Sequence, residues 1–400
     1  MRPNFTLEFL KTEAASGLIL ATSALIALIW ANSLWSESYF AFLNTKIPIQ
    51  IGSWSHELSV LKWTKEGLMA VFFFVVGLEI KYEILRGELS SVRKVILPML
   101  GAVGGMVVPA LVYLAINANG GDPTGWSIPV ATDIAFALAA FAIVGRGLPS
   151  SLRVFLLTLA IVDDLGAVMI IALFYTNDIQ VNALWGAGAG LAAMALLRFL
   201  PGAPRLLYGL LFLVILGFTM DAGVSTSLAG VAAALMVTID APNNGEESLL
   251  KSFMHELHPY VAYFILPFFA FAASGFSMAG LTFAALLDPR TLGIMMGLFV
   301  GKQIGVMALA WVAVKTGLAA RPSGATWLEL YGVAILCGVG FTMSLFIGGL
   351  AFGDADVAAQ TAVKMGVVFG SLLSVVWGMV VIKHAARLRK TAGTAVAEAE

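Results

Sequence analysis

Residues 152–176 form an apolar stretch with two adjacent carboxylates, Asp163 and Asp164, at its centre; its core reads TLAIVDDLGAVMIIALFY. Its length is close to the ~20 residues a helix needs to cross a bilayer core. One Asp at the middle of such a helix costs about 2.5–3.5 kcal/mol on insertion scales. Two neighbouring acids cost more, because each disfavours ionisation of the other. The pair therefore has to face other protein, and the chain has to supply further membrane helices around it. Two readings are open at this point: a structural pair capped by a neighbouring helix, or a site for a cation, a proton or both.

Composition supports a bundle of such helices. Of 400 residues, 60% are hydrophobic and 12% charged, against about 25% charged in ordinary soluble domains. Mean hydropathy is +0.92. The net charge of −1 points to no partner, and the absence of a basic patch with interleaved aromatics gives no reason to expect nucleic acid. Cys337 is the only cysteine, which excludes an intrachain disulfide and a cysteine metal site. The apolar run 14–31 resembles a signal peptide, but Glu8 and Glu13 spoil the basic leader, so it reads as a retained first helix.

Apolar segments separated by charged or Pro/Gly-rich turns predict an all-α polytopic membrane protein with twelve spans. They are 13–32, 61–84, 95–117, 123–144, 152–176, 181–200, 205–220, 223–239, 256–276, 291–314, 328–350 and 358–384. No interruption is long enough for a soluble domain, so residues 1–400 read as one transmembrane domain. Residues 45–55 read as an outside β-hairpin, since Ile47, Ile49 and Ile51 alternate and Gly52 can turn the chain. Residues 385–400 read as a disordered cytoplasmic tail. With the N-terminus inside, every Lys and Arg falls on the inner side except Lys46, Lys62, Lys65, Arg290, Lys364 and the intramembrane Lys302. That bias places both termini in the cytoplasm.

Three spans carry ionisable residues near their centres: Asp133 in the fourth, the acid pair in the fifth and Lys302 in the tenth. Intramembrane charges face the bundle interior and pair with one another. Lys302 is the only base at that depth, so it is the expected partner of one acid, in a structural pair, a coupling pair or both. Gly293, Gly297, Gly301 and Gly305 form a bare ridge beside it, which allows close approach. A similar row, Ala362, Gly366, Gly370, Ser374 and Gly378, reads as a packing face without chemistry. Spans four and eleven look broken, by Pro129 before Ala131-Thr132-Asp133 and by Gly338 and Gly340. A tolerated kink is the simpler reading of either break alone. Unwound backbone at mid-membrane is allowed where it is buried or lines a cavity. Half-helix ends there carry partial charges, which Asp133 would neutralise at the N-terminal ends and Lys302 at the C-terminal ends.

The stretches ATDIAFAL, LAIVDDLGA, IALFYTND, HPYVAYFILPFFAFA, GKQIG and GVGFTMSLFI resemble the NhaA family of bacterial sodium/proton antiporters, across about residues 12–383. Paired breaks in corresponding parts of two halves point to a transporter with inverted repeats, and the family is itself a known example of one, so the two signs are not independent. The resemblance implies twelve helices in the bacterial inner membrane, spans 3–5 and 10–12 being inverted repeats with spans 4 and 11 discontinuous and crossing. It implies exchange of internal sodium or lithium for external protons, with more protons than sodium ions per cycle, and no resident cofactor. By position, Asp163 and Asp164 resemble the cation and proton carriers, Thr132 a supporting ligand, Asp133 the helix-end compensator and Lys302 the partner of Asp163. The Ile47–Ile51 strand resembles the hairpin that joins two protomers in a dimer.

The chain departs from the family pattern at Ser225 (often histidine, in span eight), Tyr82 (often arginine, between the acids at the cytoplasmic end of span two), Met254 (glutamate before the first histidine at the entry to span nine) and Ala273 (asparagine in span nine). These changes leave the transport core intact and bear on the pH response. Glu79, Lys81, Glu83, His255, Glu256 and His258 are the candidate pH-modulating residues, as a charged funnel mouth; an ordinary solvated loop is the other reading. The expected function is pH-regulated antiport of small monovalent cations against protons. An intramembrane aspartyl protease using Asp133 and Asp163 is the rival from another class, disfavoured by Lys302, the second acid and the missing GxGD pattern. A channel or symporter on the same scaffold is the other rival.

Overall fold

The computed structural model describes residues 5–51, 54–90, 92–176, 179–200, 204–239, 248–278, 283–353 and 355–397. Gly52, Arg2 and the end of the expected tail, 398–400, lie outside the described residues. Each of the twelve apolar segments contains helix among the described residues, some of it interrupted or short. Among the described residues, seven helices are long and apolar enough to cross a membrane: Ala14–Ala31, Val95–Asn117, Ser150–Phe174, Val181–Phe199, Leu249–Ser274, Pro289–Lys315 and Val357–Thr391. Two further spans are bent pairs, Pro123–Val130 with Ile134–Val144 at 42° and Trp327–Leu336 with Phe341–Phe352 at 43°. The remaining three expected spans fall short on length or charge. Met69–Arg86 carries Glu79, Lys81, Glu83 and Arg86, while Arg205–Asp221 and Thr226–Met236 have 17 and 11 residues. The chain is an all-α polytopic membrane protein with one small antiparallel sheet, Lys46–Ile51 paired with Trp54–Ser59 in the register Lys46↔Ser59.

The chain packs as two compact units. One comprises Met1–Thr22, Ser91–Ala167 and Phe276–Glu400; the other comprises Ser23–Ser90 and Val168–Gly275. In the first, the glycine ridge lies on the Val92–Asn117 helix. A Cβ on Gly301 would stand 2.7 Å from the Cα of Pro109, and Gly305 meets the Gly104 carbonyl. A Cβ on Gly297, one turn earlier, would meet Pro129 at 2.7 Å. The Gly366–Gly378 row is a packing face, against Thr291 and Ile294, then Met295 and Leu298, then Leu336. Leu138, Phe155, Leu159, Val306, Leu330 and Ile382 fill the core between these helices.

The last helix runs from Val357 to Ala397, so the described part of the stretch expected as a disordered tail is helical. Its Ala-, Arg- and Lys-rich sequence favours helix, and Arg389 anchors it. The guanidinium donates to both carboxylate oxygens of Glu329, at 2.6 and 2.8 Å. Glu329 in turn closes a reciprocal cap with Thr326 at the start of the Trp327–Leu336 half-helix.

In the second unit, the small residues of Thr226–Met236 let it lie close on Met69–Arg86. Gly77 meets Ala234, and Gly230 meets the Ala70 carbonyl. Tyr39 is buried against Ala27 and Ala272, and its hydroxyl donates to the Phe271 carbonyl at 2.7 Å. The hairpin is tied down by His56, whose Nε2 lies 2.7 Å from Asp221 Oδ1 at the end of Arg205–Asp221.

Candidate functional site: a buried ion pair at two meeting helix breaks

Helix Pro123–Val130 is a tight helix ended by Pro129 and the extended residue Ala131. The chain restarts at Ile134 with Asp133 as N-cap, its Oδ1 accepting from Phe136 N at 3.0 Å. The second break runs from Cys337, at the end of Trp327–Leu336, through Gly338 and Gly340 to Phe341. The breaks meet. Asp133 N donates to the Val339 carbonyl at 2.6 Å. Asp133 Oδ2 accepts from Thr342 N at 3.1 Å and Thr342 Oγ1 at 2.5 Å. One carboxylate therefore caps the N-terminal ends of both half-helices, where the backbone carries partial positive charge. Glycines at 338 and 340 allow this approach, since a Cβ at Gly340 would stand 2.9 Å from the Ala131 carbonyl oxygen.

Asp163 and Lys302 are each 0% exposed and form a direct ion pair through Asp163 Oδ2. Lys302 Nζ also donates to Thr132 Oγ1 at 3.0 Å. The Thr132 hydroxyl faces two acceptors, Asp163 Oδ2 at 2.5 Å and the Cys337 carbonyl at 2.8 Å, with one proton to give. Lys302 was expected to neutralise the C-terminal half-helix ends; it reaches the Cys337 carbonyl only through Thr132. Asp164 is buried one residue on. Asp163 Oδ1 is buried and makes no hydrogen bond among the described residues, and a buried carboxylate oxygen without a donor is costly. It is a ready ligand for a cation or a proton.

Sequence reasoning missed several members of this arrangement. Thr342 shares Asp133, Ser344 Oγ donates to the Ile128 carbonyl at 2.7 Å, and Ser371 Oγ accepts from Phe341 N at 3.2 Å. The TMS of GVGFTMSLFI was a usable signal, because hydroxyls just after a glycine break are natural caps. Nothing local marks Ser371 or the carbonyls of Cys337 and Val339.

The six candidate pH-modulating residues lie in the second unit, and Lys81, Glu256, His258 and Glu79 make separate contacts there. Lys81 Nζ donates to the Leu235 and Val237 carbonyls at 2.5 and 2.6 Å, closing the C-terminal end of Thr226–Met236. Glu256 pairs with Arg205 and accepts from Ser252. His258 Nδ1 lies 3.8 Å from Glu79 Oε1. Arg205 is the member that the sequence did not single out. Ser225 lies 2.6 Å from Ser227, oxygen to oxygen.

Two broken membrane helices meeting around buried charge form an arrangement that secondary transporters use. The chain belongs to the Na+/H+ antiporter 1 family, which it matches over residues 7–382. Similar relatives include the Na(+)/H(+) antiporter NhaA of Bordetella parapertussis, 48% identical over 391 residues, covering 95% of this chain and 96% of the relative. NhaA of Tolumonas auensis is 47% identical over 386 residues, 95% of each chain. NhaA 2 of Pseudoalteromonas atlantica is 46% identical over 363 residues, 90% of each chain.

Proposed function

We propose that this chain is a pH-regulated antiporter that exchanges cytoplasmic sodium or lithium for external protons, with more protons than sodium ions per cycle. The carrying observation is the fully buried Asp163–Lys302 pair at the meeting of the two breaks, with Asp163 Oδ1 lacking a hydrogen bond among the described residues. The names of relatives close to half identical over nearly the whole length support the exchange of sodium for protons. A small hard cation takes oxygen ligands. Ionised Asp163 and Asp164 supply them together with Thr132. Protonation removes the charge that holds the ion, so proton and cation compete for one site. The two acids titrate as a coupled unit. Spans 3–5 and 10–12 act as inverted repeats, and their broken members present this site alternately to the two sides. The protein sits in the bacterial inner membrane with both termini cytoplasmic, and a homodimer forms through the hairpin near Ile47–Ile51.

The test is sodium-induced proton release from everted vesicles across a pH series. Asp163→Asn and Asp164→Asn keep side-chain volume and lose charge, so both should insert normally and show background exchange. Full sodium-driven proton movement in either variant overturns the site assignment. Sodium and protons moving in the same direction would instead identify a symporter.

A further inference from the structure

Lys302 follows an irregularity in its helix. Its own N–H bonds the Gly297 carbonyl, five residues back, so Gly297–Gly301 forms a wide turn with one residue more than a regular helix. One extra residue rotates everything downstream by about 100°. The direction in which Lys302 leaves the helix therefore depends on that turn being kept. Gly301 is pressed on Pro109 on one side. On the other, the adjacent residue Gln303 turns back, and its Nε2 donates to the Phe299 carbonyl inside the wide turn at 2.5 Å. Its Oε1 is not left idle: Tyr331 Oη donates to it at 2.8 Å. Tyr331 belongs to the Trp327–Leu336 half-helix, which ends at Cys337, the residue whose carbonyl accepts from Thr132. One side-chain amide thus joins the turn that aims Lys302 to the half-helix whose end supports Thr132. Both ends of this bridge return to Asp163, through Lys302 and through Thr132.

We propose that Gln303 and Tyr331 are a positioning pair for exchange: they hold the wide turn that sets Lys302 against Asp163 and tie it to the moving end of a broken helix. The proposal rests on the exchange reading above. A Lys302 that is loosely held compensates Asp163 poorly, and a buried charge without compensation is avoided. Exchange then requires a more alkaline medium, while the maximal rate, reached once the site is ionised, changes less.

The experiment compares the parent, Tyr331→Phe, Gln303→Leu and the double variant in everted vesicles across a pH series at several sodium concentrations. Tyr331→Phe removes one hydroxyl and keeps the ring, so it tests the bridge even where Gln303→Leu fails to fold. The expected result is an alkaline shift of the half-maximal pH by about half a unit or more in each single variant. The double variant should shift no further than Gln303→Leu, because both changes act through the same amide. A rate lowered equally at every pH, an unshifted half-maximal pH, or additive shifts in the double variant overturns the proposal. A second measurement does not depend on sodium transport. Amide hydrogen exchange over residues 297–303, read by mass spectrometry, should quicken in Tyr331→Phe; unchanged exchange there overturns the positioning role. A parent that moves no protons in response to sodium overturns the exchange reading and leaves this second measurement to decide the bridge.

Discussion

At the scale of single residues, the sequence marks the acids and the lysine, and the structure assigns them to one another. Lys302 lies on Asp163 and Thr132, while Asp133 serves the half-helix ends. Removing one partner of a buried ion pair costs about 3–5 kcal/mol, because the other charge stays buried alone. Lys302→Ala is therefore expected to lower the melting temperature of the purified protein and to move exchange to more alkaline pH. Lys302→Arg keeps a charge and should retain partial transport. A Lys302→Ala protein matching the parent in both melting temperature and pH profile would show that the pair contributes nothing.

At the scale of elements, the decisive features are the two breaks and the glycine ridge. Each is visible as a local pattern, Pro129 before a polar triplet, Gly338 and Gly340 in an apolar run, glycines every four residues. Pro129 packs on Gly297 of the ridge, and Pro109 and Gly104 of the Val92–Asn117 helix pack on Gly301 and Gly305. A Cβ at Gly301 meets backbone there, which cannot swing aside as a flexible side chain can. Gly301→Ala should destabilise by about 1–3 kcal/mol, the usual cost of overpacking. Gly188→Ala, where a Cβ meets nothing within 4 Å, is the control. Thermal unfolding in detergent separates them; equal melting temperatures for both variants would mean that the ridge tolerates a methyl group.

At the scale of the whole molecule, the proposed pH regulation needs a titratable group. Histidine is the side chain whose charge changes near neutral pH, and the family resemblance implies one in span eight where this chain has Ser225. Of the charged group expected as a mouth, Lys81 donates to helix-end carbonyls, Glu256 pairs with Arg205 and His258 lies beside Glu79. The half-maximal pH of exchange should shift in a His255→Ala, His258→Ala double variant. If that variant keeps the parent profile and only Ser225→His moves it, the cluster is not the modulator.

Hydropathy, residue spacing and the cost of burying charge are properties of the chain itself. They determined the polytopic helical class, the location of the breaks and the identity of the midplane acids and base. The contacts that turn these into a site join distant residues. Asp133 meets Thr342 across 209 positions, Thr132 meets the Cys337 carbonyl across 205, and Lys302 meets Asp163 across 139. Nothing local says which of two adjacent acids a lysine on another helix will reach, nor that Arg389, past the apolar stretch, will find Glu329. Those choices follow from how far each helix can approach its neighbour and which buried oxygen still needs a donor, and only the folded chain decides them.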